Sequence, residues 1–122
     1  MPTLTKTKAA PAKTAQSKVE SMFLPFKING VQFRNRILAP PTVDDHADVE
    51  GKVTPALIKH YRTLARQGVG TIIVESAYVT KQGRSHVNQL GISEEEHLEG
   101  LENLARGVKK EGAAIGIRIS HA

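Results

Sequence analysis

The feature that most constrains the fold is a short apolar run at residues 69–74, set between two amphipathic helical patterns. The run reads Val-Gly-Thr-Ile-Ile-Val, and continuous β-branched segments of this kind are typical of strands buried on both faces. Similar short strands are predicted at residues 36–39 and 114–119. The order strand, helix, strand, helix, strand predicts an α/β fold with a parallel sheet and right-handed crossovers.

Both predicted helices begin and end at recognisable signals. Thr54 is a good N-cap residue and precedes a proline at the first helical position. Gly68 follows the last apolar position, where a C-terminal cap belongs. Ser93 and Glu96 have the spacing of a capping box, and Gly112 stops the second helix. These signals predict two helices joined to the strands that follow them by very short connections.

The connections that follow the strands are much longer, at about residues 40–53 and 77–92. Long segments without secondary structure are usually functional. Both lie on the carboxyl side of the predicted strands, which is where barrels and open α/β sheets bind ligands. Two successive long loops at one edge favour a barrel, because a barrel assembles its active site from many such loops.

A β-hairpin is predicted before the first strand, because residues 26–33 alternate apolar and polar side chains around an Asn-Gly pair. Such a hairpin would naturally close the bottom of a barrel. A complete barrel of this kind has eight strands and about 250 residues, whereas this chain has 122 residues. The sequence therefore predicts the N-terminal part of a (β/α)8 TIM barrel, incomplete in this chain.

Charge and composition narrow the class of protein. The net charge is +5, but residues 1–20 alone carry +3, and the remainder is nearly balanced. Residues 1–21 have few large apolar side chains, so we expect a disordered basic tail followed by an ordered part over 22–122. The balanced body and few aromatic residues argue against nucleic-acid binding. The absence of cysteine and of long apolar runs favours a cytoplasmic protein without a membrane span; organelle targeting by the tail stays open.

Histidines raise the question of a metal site. His46 lies beside three aspartates, but no second histidine follows at ligand spacing. We therefore interpret this stretch as a polar loop and predict no metal. His60 and His97 fall on helical patterns, where we expect solvated side chains.

Seven short motifs follow one another along residues 22–122. They are Phe23-Leu24-Pro25-Phe26-Lys27-Ile28-Asn29-Gly30; Asn35-Arg36-Ile37-Leu38 leading into Pro40-Pro41; Gly51-Lys52-Val53-Thr54; Gly68-Val69-Gly70 before Ile72-Ile73-Val74-Glu75; Gly83-Arg84; Gln89-Leu90-Gly91-Ile92 with Glu96-His97; and Gly112-Ala113-Ala114-Ile115 ending in His121-Ala122. In this order and spacing, the chain resembles the N-terminal third of the Old Yellow Enzyme family, the FMN-dependent NAD(P)H:flavin oxidoreductases.

The resemblance implies that FMN is the cofactor and that it contacts residues at the ends of the strands. The implied set is Pro40, Pro41, Thr42, Val43, Ser76 and Arg118. Val43 stands where the family has a Thr or Cys that tunes the reduction potential of the flavin. Because valine has no side-chain donor, the resemblance implies that this tuning is lost or passes to Thr42. Arg118 stands where the family has a Gln; its guanidinium could donate to a flavin oxygen and stabilise a reduced, anionic ring. Two alternatives to flavin contact stay open. The prolines could serve only to end the strand, and Ser76 could be only a small packing residue.

The implied activity is hydride transfer from NAD(P)H through flavin N5 to an activated alkene or similar acceptor. His121, at a strand end, is a weak candidate for substrate-side contact. No catalytic residue is predicted, because the family's proton donor and substrate-binding pair lie in later strands. The chain would work with the remaining strands, supplied by a second polypeptide or a continuation. The alternative is a degenerate barrel fragment that serves as a non-catalytic assembly or interaction subunit.

Overall fold

The computed structural model describes residues 19–122. The predicted disordered tail therefore lies almost wholly outside the described residues, and of it only residues 19–21 are seen, in a helical turn. The predicted hairpin is present, with β1 (Phe26–Ile28) antiparallel to β2 (Val31–Phe33). Asn29 and Gly30 both have positive φ, at 45° and 83°, which is the backbone that a tight two-residue hairpin turn requires.

Three parallel strands and two helices follow in the predicted order. They are β3 (Leu38–Ala39), α1 (Pro55–Arg66), β4 (Thr71–Tyr78), α2 (Leu98–Lys110) and β5 (Ala114–Ser120). The spatial order of the strands is β3-β4-β5, so each crossover joins neighbouring strands. No helix within residues 19–122 is long and apolar enough to cross a membrane.

The two faces of this sheet have different environments. The helices cover one face, where Leu57, Ala65, Ile72, Val74 and Leu104 are at most 2% exposed and pack in one cluster. The other face has no covering layer within residues 19–122, and on it Leu38 remains 53% exposed. In a closed barrel this second face would point into the interior.

The hairpin and the segment after it lie at the amino edge of the sheet, where the strands begin. The Arg34 guanidinium donates to the backbone carbonyls of Glu111 (2.8 Å) and Val69 (2.7 Å), and also to that of Ala65. Two of these carbonyls lie at or just beyond the ends of the helices, where backbone acceptors lack helical partners. Arg34 therefore fixes the helix ends to the hairpin segment.

Several local predictions need correction. β4 runs to Tyr78, four residues beyond the predicted end at 74, because its end pairs with loop residue Gly91. The expected capping box at Ser93 and Glu96 is wrong. Instead, the His97 ring accepts the Glu94 backbone N–H at 3.1 Å, and a 3-10 turn precedes α2.

The expected solvation of His97 is also wrong, since this residue is only 3% exposed. Its Nε2 lies 3.0 Å from the carbonyl oxygen of Glu50, so the ring joins the two long loops. By contrast, Thr54 caps α1 as predicted and accepts the Leu57 N–H at 3.2 Å.

Candidate functional site

The carboxyl edge of the sheet contains a β-bulge between β4 and β5. Pairing is regular up to Val74 and resumes at Ala77 one residue out of step. Glu75 and Ser76 therefore both oppose Arg118 on the neighbouring strand. Bulges re-aim side chains and are common at barrel rims beside active sites. This one brings together Ser76 and Arg118, two of the residues that the sequence nominated.

Arg118 lies on the open face of the sheet. The core is contacted by Ile115 and Ile117, which are alternate residues of β5. Because side chains alternate along a strand, Arg118 projects from the opposite face. The guanidinium is exposed and makes no hydrogen bond or ion pair with any residue of the described chain. An unpaired cation with five N–H donors is well suited to a ligand rich in carbonyl oxygens.

Ile73 and Gly116 lie side by side on the open face of the sheet near Arg118. Gly116 contributes no side chain there, and a Cβ at this position would lie 3.2 Å from Cδ1 of Ile73. The Ile73 side chain therefore reaches over Gly116 and makes this part of the open face apolar. Together with the free guanidinium, this surface is a candidate ligand site.

Residues 40–43 leave the end of β3 at the same carboxyl edge. Pro40, Thr42 and Val43 are exposed, and Pro41 is half-buried. The Thr42 hydroxyl donates to the Pro40 carbonyl at 3.3 Å. In this arrangement the one side-chain hydroxyl of the segment is directed back toward its own strand. The Val43 side chain has no hydrogen-bond donor.

A group of acidic and aromatic side chains holds the next residue, Asp44. Its backbone N–H donates to Oε2 of Glu75 at 3.2 Å, and its Oδ2 lies 3.2 Å from Nε2 of His60. Burial raises the pKa of the Glu75 carboxyl, and the nearby charge of Asp44 adds to this effect. Burial likewise raises the pKa of the Tyr61 hydroxyl, with Glu75 and Asp44 contributing. The segment 40–43 is thus anchored at its far end.

The neighbouring residue, Asp45, links the first long loop to the second. It adopts a left-handed backbone with φ of 53°, and its Oδ1 lies 3.1 Å from Nε2 of His86. His46 contacts the His60 ring, with centroids 5.8 Å apart. Within residues 19–122 there is no group of three or more His, Cys, Asp or Glu residues arranged to hold a metal ion.

His121 follows β5 directly and packs against the second loop. Its Nδ1 lies 3.3 Å from Oγ1 of Thr80. A Cβ at Gly83 would lie 2.3 Å from the same ring, so glycine permits this contact. The ring is exposed, and a substrate-side role for it remains a prediction.

Sequence reasoning assigned no function to Tyr61 or Gln89, both of which are buried beside the bulge. Tyr61 accepts the Glu75 N–H at 2.9 Å, and Gln89 donates to the Ser76 carbonyl at 3.1 Å. Tyr61 appeared as part of an apolar helical stripe, and Gln89 as part of a loop motif. Only the fold reveals which backbone groups they contact.

Comparison with known proteins identifies the class to which this fold and site belong. Residues 21–122 match the sequence profile of the NADH:flavin oxidoreductase / NADH oxidase family. The chain belongs to this family. The resemblance predicted from the seven motifs is therefore confirmed, as is the prediction of a partial barrel.

Two curated relatives show how much of the family's length the chain spans. It is 45% identical over 102 residues to the NADPH dehydrogenase of Geobacillus sp. (strain WCH70) and 39% identical over 102 residues to that of Bacillus subtilis (strain 168). Each alignment covers 83% of this chain and 30% of the relative. The chain therefore spans about a third of the length of these proteins.

Solved structures agree on the fold. A 2-naphthoyl-CoA reductase in complex with 2-naphthoyl-CoA matches with a TM-score of 0.80 and 34% identity, over 84% of this chain and 16% of that one. The Old Yellow Enzyme from Pichia sp. AKU4542 matches with a TM-score of 0.78 and 22% identity, over 83% of this chain and 26% of that one. The second likeness concerns the fold alone.

Proposed function

We propose that this chain forms one wall of the FMN site of an Old Yellow Enzyme-type oxidoreductase. The observation that carries the proposal is the unpaired Arg118 guanidinium, which lies on the open face of the sheet opposite Ser76 at the carboxyl edge. Bound FMN would supply hydride transfer from NAD(P)H to an activated alkene or similar acceptor. The chain's own contribution is to bind and orient the ring and to adjust its electronics.

Arg118 has the main part in this proposal. Its N–H groups would donate to the oxygens of the flavin's pyrimidine edge, and its charge would stabilise the reduced, anionic form of the ring. Val43 cannot donate, and the Thr42 hydroxyl already donates to Pro40. We therefore assign the tuning of the flavin to Arg118 rather than to the segment after β3.

The remaining nominated residues have supporting roles. The prolines of segment 40–43 and the backbone of Thr42 would support the ring from below, and Ser76 would touch it from the bulge. His121 would face the substrate from the end of β5. We name no proton donor within this chain, so the residues that complete the reaction lie elsewhere in the working protein.

The working protein would include the remaining barrel strands, from a continuation of the chain or from another polypeptide. Two observations support this part of the proposal. Within residues 19–122, β5 pairs only with β4, which leaves its outer edge open. An apolar groove beside it, lined by Leu101, Ile115 and Ile117 among others, would receive a further helix. We propose a cytoplasmic setting, in keeping with a sequence that has no cysteine.

The test is to isolate the native protein that contains this chain and to record its mass and its absorbance in the flavin bands. The proposal predicts a yellow species, larger than 13.3 kDa, that releases FMN on denaturation and oxidises NADH or NADPH. A colourless protein that takes up no added FMN would overturn the proposal in favour of the alternative, a non-catalytic barrel fragment.

A further inference from the structure

The bulge at Glu75 and Ser76 interrupts the ladder between β4 and β5. An inserted residue leaves backbone groups without strand partners, and buried backbone groups are normally hydrogen-bonded. In this bulge side chains bond two of the backbone groups. Oη of Tyr61 accepts the Glu75 N–H at 2.9 Å, and Nε2 of Gln89 donates to the Ser76 carbonyl at 3.1 Å.

Gln89 is placed to act on several elements at once. It is 0% exposed, and besides Ser76 its Nε2 donates to Oγ of Ser120, at the end of β5, at 3.2 Å. On its other side, Oε1 accepts the Ser85 backbone N–H at 2.7 Å. One buried amide therefore ties the β4 bulge, the end of β5 and the second long loop together. Each half of the amide is used, so its orientation is fixed.

We propose that Gln89 is a positioning residue, which fixes the Ser76 carbonyl in the bulge and thereby the placement of Ser76 and Arg118 at the carboxyl edge. Its effect on flavin binding rests on the proposed function, whereas its effect on the bulge does not. Gln89 acts through Ser76, because its buried amide is already occupied by protein groups.

The test exploits the difference between the two halves of the amide. Gln89→Glu keeps the oxygen that accepts from Ser85 but removes the N–H donor to Ser76. At about pH 9 the carboxylate would face the Ser76 carbonyl, whereas at about pH 5 a buried, protonated carboxyl would donate again. Gln89→Met has a similar volume but lacks both halves at every pH.

Two quantities are measured in the native protein that contains this chain. The first is the set of backbone amide shifts of Ser76, Ala77 and Arg118 by NMR. The second is the dissociation constant for added FMN. The wild type, measured at both pH values, is the control for any effect of pH that does not depend on residue 89, including effects through nearby Glu75, His86 and His121.

We expect both variants to shift the three amide signals at about pH 9 and to weaken FMN binding roughly tenfold, which corresponds to one lost buried hydrogen bond. At about pH 5 the signals and the affinity of Gln89→Glu should return toward wild type, while those of Gln89→Met should not. If Gln89 served only general stability, both variants would unfold more easily but would keep the wild-type amide shifts and FMN affinity.

The proposal is overturned if both variants keep wild-type amide shifts and FMN affinity, even when their unfolding midpoints fall. If the wild type takes up no FMN, the proposed function fails, and the amide shifts alone then decide whether Gln89 positions the bulge. The two failures are thus distinguished by separate measurements.

Discussion

The two edges of the sheet use the same kinds of residue in opposite ways. At the amino edge, Arg34 donates to three backbone carbonyls, and buried Asn35 uses both ends of its amide, on Gly68 and on Ile37. At the carboxyl edge, the Arg118 guanidinium has no hydrogen-bond or ion-pair partner among residues 19–122.

This contrast suits the proposed division between stability at the amino edge and ligand binding at the carboxyl edge. The terminal N–H groups of Arg34 and the amide of Asn35 at the amino edge are bonded to the chain itself, so they hold the helix ends and the hairpin together. At the carboxyl edge, the Arg118 guanidinium is left with free donors, which a ligand site can use. The same division between a stabilising bottom and a functional top is general in (β/α) barrels.

The largest effect on stability should come from Arg34→Ala, which removes the hydrogen bonds between the hairpin segment and the helix ends. Several charge-assisted hydrogen bonds are lost, and half-buried carbonyls are left without a donor. We expect the free energy of unfolding in urea to fall by about 3 kcal/mol. Arg106→Ala, on the exposed side of α2, is the matched control and should change it little. Equal losses in the two variants would contradict the assigned role of the amino edge.

A smaller effect is expected at the carboxyl edge, from Tyr61→Phe. This change leaves the buried Glu75 N–H without its acceptor and should cost about 2 kcal/mol. Tyr78→Phe provides the comparison, because its hydroxyl donates to the Glu50 carbonyl, which also lies 3.0 Å from Nε2 of His97. We expect a smaller loss there, by urea denaturation. A larger loss for Tyr78→Phe would show that the bulge does not depend on Tyr61.

The smallest expected effect on stability comes from the ion pairs of Glu111 at the amino edge, and it depends on pH. Hydrogen bonds from Arg66 and Arg62 lower the pKa of Glu111 to about 2, compared with about 4.3 for an unperturbed glutamate. The stability that this ion-pair group contributes is fully present above the unfolded pKa and is lost as the pH falls through the folded one. Unfolding measured between these values should therefore show less acid sensitivity in Glu111→Gln than in wild type. Glu102→Gln, on the exposed face of α2, is the control and should show the same acid sensitivity as wild type. If Glu111→Gln also does, the ion pairs contribute nothing to stability.

Local sequence signals predicted much of the fold correctly. The Asn29-Gly30 turn and the Thr54 cap depend on neighbouring residues, and both appear as expected. The bulge was not predictable, because the register between β4 and β5 arises from pairing across about 40 residues of chain. The burial of His97 depends on a contact with Glu50, 47 residues away. The positioning groups at the site were missed for the same reason.

The most direct test of the carboxyl edge is the reduction potential of flavin bound to the native protein and to its Arg118→Gln variant. If the guanidinium stabilises reduced flavin, the variant should bind oxidised FMN at least as well, and its potential should fall by about 30 mV, which is ~1.4 kcal/mol for a two-electron couple. Arg106→Gln should leave the potential unchanged. An unchanged potential in Arg118→Gln, with FMN bound, would place the flavin away from this edge and contradict the account.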